Sequence, residues 1–163
     1  MHNSMFNKQG KLNIPKTKSI KKVIVEEKEL VEVEEAFCSK GHNLKSSENK
    51  FDGFPGIRMG FRKESGEEGE FVVSSILGKY EKKVVKGQIK KGEIIDLFCP
   101  ICKTSFPVLS DCGGKKGSTI RLIFLTKKAN INRSVSFCDC VGCSNSTLRE
   151  AGEIIRSSQI KAL

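Results

Sequence analysis

The sequence has no tryptophan, one tyrosine, four prolines and only two histidines. Hydrophobic residues make up 37% of it, below the usual globular share. A core so lean needs a staple, and bound metal is a common one. The shortage of histidine excludes a good deal of chemistry. His2 lies in a polar tail, and His42 stands four residues after a cysteine. Neither is spare for a Ser-His-Asp or Cys-His arrangement. No run of residues approaches transmembrane length. Residues 1–22 hold only scattered Met5, Phe6, Leu12, Ile14 and Ile20, not the apolar stretch of a signal peptide. The expectation is a chain of a reducing, cytoplasmic compartment with no membrane partner. There, clustered cysteines mean metal more often than disulfide.

The seven cysteines are an odd number, so a pure disulfide framework would strand one thiol. Their spacing is the strongest signal in the chain. Phe98-Cys99-Pro100-Ile101-Cys102 is a Cys-x-x-Cys turn at the end of an apolar run. Two thiolates so spaced converge on one tetrahedral metal, and Pro100 pre-shapes the turn. Cys38-Ser39-Lys40-Gly41-His42 is a second half-site, with a glycine where a positive φ is needed. Cys112, Cys138, Cys140 and Cys143 complete a set of eight ligands.

Eight ligands divide into two sets of four in many ways. The preferred partition puts Cys38, His42, Cys99 and Cys102 on one metal and Cys112, Cys138, Cys140 and Cys143 on the other. Closed sites rich in sulfur default to zinc, so two Zn2+ per chain are expected. Cys₄ sets can also hold an iron–sulfur cluster. A redox pair at Cys99 and Cys102 is disfavoured, because no helical pattern follows Cys102. The glycine- and lysine-rich run Gly113 to Thr119 fails the order of a phosphate loop and reads as a flexible basic loop.

Charge is unevenly spread over the net +10. Residues 1–22 carry six lysines and no acid, and residues 86–133 carry ten basic and three acidic residues. The expected organisation is a disordered basic arm over 1–22, an extended linker or edge strand over 23–37, a zinc-binding β domain over 38–145 and a C-terminal helix over 146–163. The helix rests on a capping-box spacing of Thr147 and Glu150. It also rests on the stripe Leu148, Ala151, Ile154 and Ile155. Gly53-Phe54-Pro55-Gly56 reads as a turn, followed by alternating strands from Ile57 onward.

The knuckles and short strands resemble the zinc-ribbon group. More narrowly, Cys38-x-x-Gly41-His42 followed by Phe98-Cys99-Pro100-x-Cys102-x-Thr104 is similar to the zinc-binding small (gamma) subunit of acetone carboxylases, over residues 38–108. That resemblance implies a small zinc subunit accompanying large catalytic ones. The fold class expected is therefore mostly β, a zinc-ribbon-like small domain with two knuckle sites and a short helix. The expected function is non-catalytic: a zinc-binding accessory or interaction protein in a larger assembly. The alternative is a basic zinc ribbon that binds RNA or DNA through the N-terminal arm and Lys115, Lys116, Lys127, Lys128 and Arg133.

Overall fold

The computed structural model describes residues 19–79, 81–143, 145–150 and 153–156. The expected basic arm falls largely outside them. Among the described residues, twelve strands form three antiparallel sheets. Strands β1 (Ile20–Val25) and β2 (Lys28–Val33) are a hairpin. Its two-residue turn, Glu26-Glu27, has positive φ at both positions (51° and 64°). Inward-facing Ile20, Val23 and Val25 and a run of buried residues from Leu30 to Val33 seat this hairpin on the main core.

The second sheet runs β3 (Lys45–Phe51), β4 (Phe54–Arg62), β5 (Glu68–Val73) and β6 (Lys82–Lys86), with β7 (Asp96–Phe98) also pairing β4. The alternation of Ile57, Met59 and Phe61 with Arg58, Gly60 and Arg62 gives β4 its buried face. The turn before it is Asp52-Gly53, both with positive φ. That is the residue pair a two-residue hairpin favours. The expected turn at 53–56 is thus one residue too late, and Phe54, Pro55 and Gly56 belong to β4. Pro55 is accommodated where the β3–β4 register shifts, the kind of irregularity at which a sheet tolerates proline.

The third sheet is the meander β8 (Val108–Asp111), β9 (Thr119–Phe124), β10 (Ser134–Cys138), β11 (Ser146–Glu150) and β12 (Glu153–Arg156). The chain is mostly β, and the described residues contain no helix. The expected C-terminal helix is therefore overturned. Leu148 pairs Ile155 and Arg149 pairs Ile154 across an antiparallel hairpin. The apolar spacing that fits a helix stripe fits two strands equally well. Leu148 is fully buried through β10 rather than by covering the sheet from outside.

The second and third sheets meet over one core that draws Phe61, Leu97, Phe106, Ile123 and Leu125 together. No helix among the described residues is long and apolar enough to cross a membrane.

Candidate metal centres

Two clusters of soft ligands stand where strands end. The first joins Cys38, His42, Cys99 and Cys102, whose donor atoms all lie within 4.8 Å of one another. Cys38 and His42 sit in the connection from β2 to β3. Phe37 locks this loop to β9 by exchanging two backbone hydrogen bonds with Phe124 (2.7 and 2.9 Å). The loop closes through Gly41 N–H to the Cys38 carbonyl (3.0 Å) and Cys38 N–H to the His42 carbonyl (3.1 Å). Gly41 adopts φ 87°, and a Cβ there would meet the Lys127 carbonyl oxygen at 3.0 Å. Both facts favour glycine at this position.

The other half of the cluster hangs from β7. Ile101 N–H points at the Cys99 sulfur (3.4 Å), and Lys103 N–H donates to the Cys99 carbonyl (2.8 Å). Lys103 takes a positive φ of 62° to complete the turn. Across the cluster, Cys38 Sγ lies 3.9 Å from Cys102 Sγ and 3.3 Å from His42 Nδ1. A disulfide requires sulfurs about 2.05 Å apart. A tetrahedron with zinc–sulfur bonds of about 2.3 Å has sulfur–sulfur edges of about 3.8 Å. The thiol pair has the metal spacing.

Protonation is split within the cluster. Burial pushes the Cys99 thiol up to about 11. Burial also acts against ionisation of Cys102. Hydrogen bonds from the Thr104 side chain and backbone, then from Cys99 and His42, outweigh it and bring that thiol down to about 6. Thiolate is the ligating form, so Cys102 is already prepared for metal near neutral pH.

The second cluster brings together Cys112, Cys138 and Cys143 within the same 4.8 Å limit. Cys112 follows β8, Cys138 ends β10, and Cys143 closes a turn through its N–H to the Cys140 carbonyl (3.1 Å). Cys112 Sγ lies 3.9 Å from Cys143 Sγ, again a metal-type edge. The backbone N–H of Gly114 brings the Cys112 thiol down to about 7 against burial, while burial pushes Cys138 up to about 12. Cys140, also buried, is outside this trio. Its sulfur lies 3.9 Å from the Val141 carbonyl, and its N–H faces the Cys138 sulfur at 3.4 Å. The structure thus places seven of the eight expected ligands in two groups and leaves the eighth beside the second.

Sequence reasoning missed the link between the clusters. Asp139, between Cys138 and Cys140, is 3% exposed. It accepts from Thr119 N–H (2.8 Å), Thr119 Oγ1 (2.5 Å) and Arg121 Nε (3.3 Å). Arg121 also donates to Asp96 in β7 (3.1 Å) and to the Phe106 carbonyl (3.0 Å). One guanidinium therefore joins the strand that delivers Cys99 to the loop that carries Cys138. The signal was present, a lone arginine inside the most apolar strand and an acid between two cysteines.

Three of the basic residues stand beside the centres. Lys91 packs over Gly142, and Lys115 donates to the Gly92 carbonyl, both at the second cluster. Lys127 lies against Gly41 at the first. The structure supports two centres able to chelate metal, of the structural knuckle type. Compared with family models, curated proteins and solved structures, the chain matches none of them. The likeness to the acetone carboxylase gamma subunit therefore stands as a likeness of knuckle motifs and does not amount to specific homology.

Proposed function

We propose that the protein is a non-catalytic, two-zinc β module that serves as an accessory or interaction subunit of a larger protein assembly. The ligands in this reading are Cys38, His42, Cys99 and Cys102 in one site and Cys112, Cys138, Cys140 and Cys143 in the other. Cys140 joins its site by rotating its side chain, since Cys138 is only two residues away. The observation that carries the reading is the first cluster. Four protein donors of S₃N type converge there, which fills a tetrahedral zinc and leaves no position for substrate. Such a metal contributes folding energy directly. It ties Cys38 to Cys102, 64 residues further on, in a chain with a lean core.

An assembly role is supported by the edge strand β6, exposed along its whole length, with Val84 and Val85 open to solvent. Ile101, at the tip of the Cys99–Cys102 turn, is also exposed. Affinity purification of the zinc-loaded chain should retain one stoichiometric protein partner. Replacing Val84 and Val85 with Thr should release it with zinc content unchanged. Recovery of the chain without any fixed partner would remove the assembly role.

A second reading is favoured by Lys91, Lys115 and Lys127, which stand at the two centres. In it, Lys115, Lys116, Lys127, Lys128, Arg133 and the arm of residues 1–22 engage nucleic-acid phosphates. Fluorescence anisotropy with generic RNA and DNA then shows an affinity that falls steeply with salt. Binding weaker than about 10⁻⁴ M at physiological salt ends this reading.

A further inference from the structure

Strand β6 closes one side of the second sheet. It pairs β5, and among the described residues nothing pairs its other edge. The ladder shows which backbone groups that edge offers. Ser74 N–H donates to the Glu81 carbonyl (3.0 Å), one step beyond the Val73–Lys82 pair. Bonded and non-bonded pairs alternate along an antiparallel ladder. The N–H and C=O groups of Lys82 and Val84 therefore point away from β5. Among the described residues they bond to no other backbone group.

The side chains say what kind of strand could use those groups. Lys83 pairs Val72, and Lys86 pairs Glu70. Val72 and Glu70 are two residues apart on β5, so Lys83 and Lys86 share one face of the sheet. The register shift beside Val84 and Val85 absorbs the extra residue between them. Neither lysine forms an ion pair among the described residues. The Glu70 carboxylate opposite Lys86 is held by Arg58 Nε (2.9 Å). Lysines on an edge strand keep identical edges apart, which disfavours a second copy of this chain. The same charges favour a strand of opposite sign.

We propose that β6 takes up an extended acidic segment of a partner protein as an added strand, its backbone bonded to Lys82 and Val84 and its carboxylates meeting Lys83 and Lys86. In such recognition, main-chain hydrogen bonds give affinity and alternate side chains give specificity. The inference rests on the assembly reading above and names the chemistry of the partner. A peptide titration reads the edge alone, whereas recovery of a stoichiometric partner reads the assembly role, so either can fail without the other.

The test follows the full zinc-loaded chain by amide NMR during titration with short peptides alternating Glu and Val, Gln and Val, or Lys and Val. The Glu–Val peptide should bind saturably, about tenfold more tightly than the Gln–Val peptide, the worth of two cross-strand ion pairs. It should slow hydrogen exchange at the Lys82 and Val84 amides. Lys83→Glu with Lys86→Glu, both at exposed positions, should reverse the preference and admit the Lys–Val peptide. Val84→Pro removes an N–H that β5 does not use, a place where an edge strand tolerates proline. It should keep the zinc content and the thermal transition and weaken the Glu–Val peptide. Absence of saturable Glu–Val binding would overturn the proposal and leave the lysines as guards of the edge. So would equal affinity for the Glu–Val and Gln–Val peptides, or no response to the charge reversal. Tighter binding of oligouridylate at the same lysines would overturn it in favour of a nucleic acid.

Discussion

Replacing Gly60 with alanine tests how the sheet positions a metal centre. Gly60 pairs with Phe98 across β4 and β7, and Phe98 immediately precedes Cys99. The missing side chain at Gly60 is what lets the Phe98 ring lie flat over β4. A Cβ there would stand 2.7 Å from Phe98 Cδ2 and 3.1 Å from Cζ, with Cε2 nearer still. The ring cannot swing away freely, because it is buried and flanked by cations. Arg62 lies 5.6 Å and Lys103 5.3 Å from its centroid. Overpacking of this kind costs about 1–3 kcal/mol, offset by about 0.4–1 kcal/mol from the stiffer unfolded chain. A net loss of about 1–2 kcal/mol lowers the melting temperature of a chain this size by about 2–8 °C. The strain falls on the strand that carries Cys99, so Gly60→Ala should also speed zinc loss to a chelator. Phe98→Leu in the same chain should recover most of both effects. Scanning calorimetry and a colorimetric chelator assay read the two quantities. An unchanged melting temperature and zinc release rate, or no rescue by the second substitution, would mean that the Gly60–Phe98 contact does not position the Cys99 turn.

Arg121→Met should destabilise the fold by about 3–5 kcal/mol, because it leaves the buried Asp139 carboxylate without its cation, and urea unfolding measures this. At the β1–β2 turn, Glu26→Asn with Glu27→Gly should raise stability by about 1 kcal/mol, since both positions need positive φ; an unchanged urea midpoint would argue against that turn. Acidification should release zinc, read with a fluorescent zinc indicator. Metal-bound thiolates have folded-state pKa values held below their unfolded ones, so the stability they give is present at neutral pH and lost as pH falls. Hydrogen bonds already bring Cys102 down to about 6 without metal, and bound zinc holds it ionised further still, so the first site should keep its zinc at pH 7 and release it on acidification. Retention of both metals well into the acid range would contradict this ligand chemistry.

The ligand clusters were legible in the sequence because metal chemistry is written in local spacing. Cys99-x-x-Cys102 and Cys38-x-x-x-His42 each fix a turn, and a turn needs only its own residues. The strands of the central sheet were legible through alternation, as in Ile57, Met59 and Phe61. What was not legible depends on partners distant in the chain. The stripe Leu148, Ala151, Ile154 and Ile155 fits a helix as well as it fits a hairpin. Pairing with β10 decides between them, and nothing within those residues does. Ala151-Gly152, between two short β-compatible runs, was the available hairpin signal. The turn at Asp52-Gly53 was masked because Pro55 and Gly56, just after it, also carry turn chemistry. The orientation of the Cys140 thiol was equally hidden. Alternation predicts that Cys138 and Cys140 share a face, whereas the chain turns immediately after Cys140.

Native mass spectrometry of the intact chain decides whether it carries two metal centres. The spectrum should show two zinc ions per chain, and chelation of both should abolish the cooperative thermal transition. A chain that carries one zinc or none does not have two zinc centres. Iron with acid-labile sulfide, or a chain that keeps its cooperative transition after losing both metals, would equally contradict structural zinc at these sites.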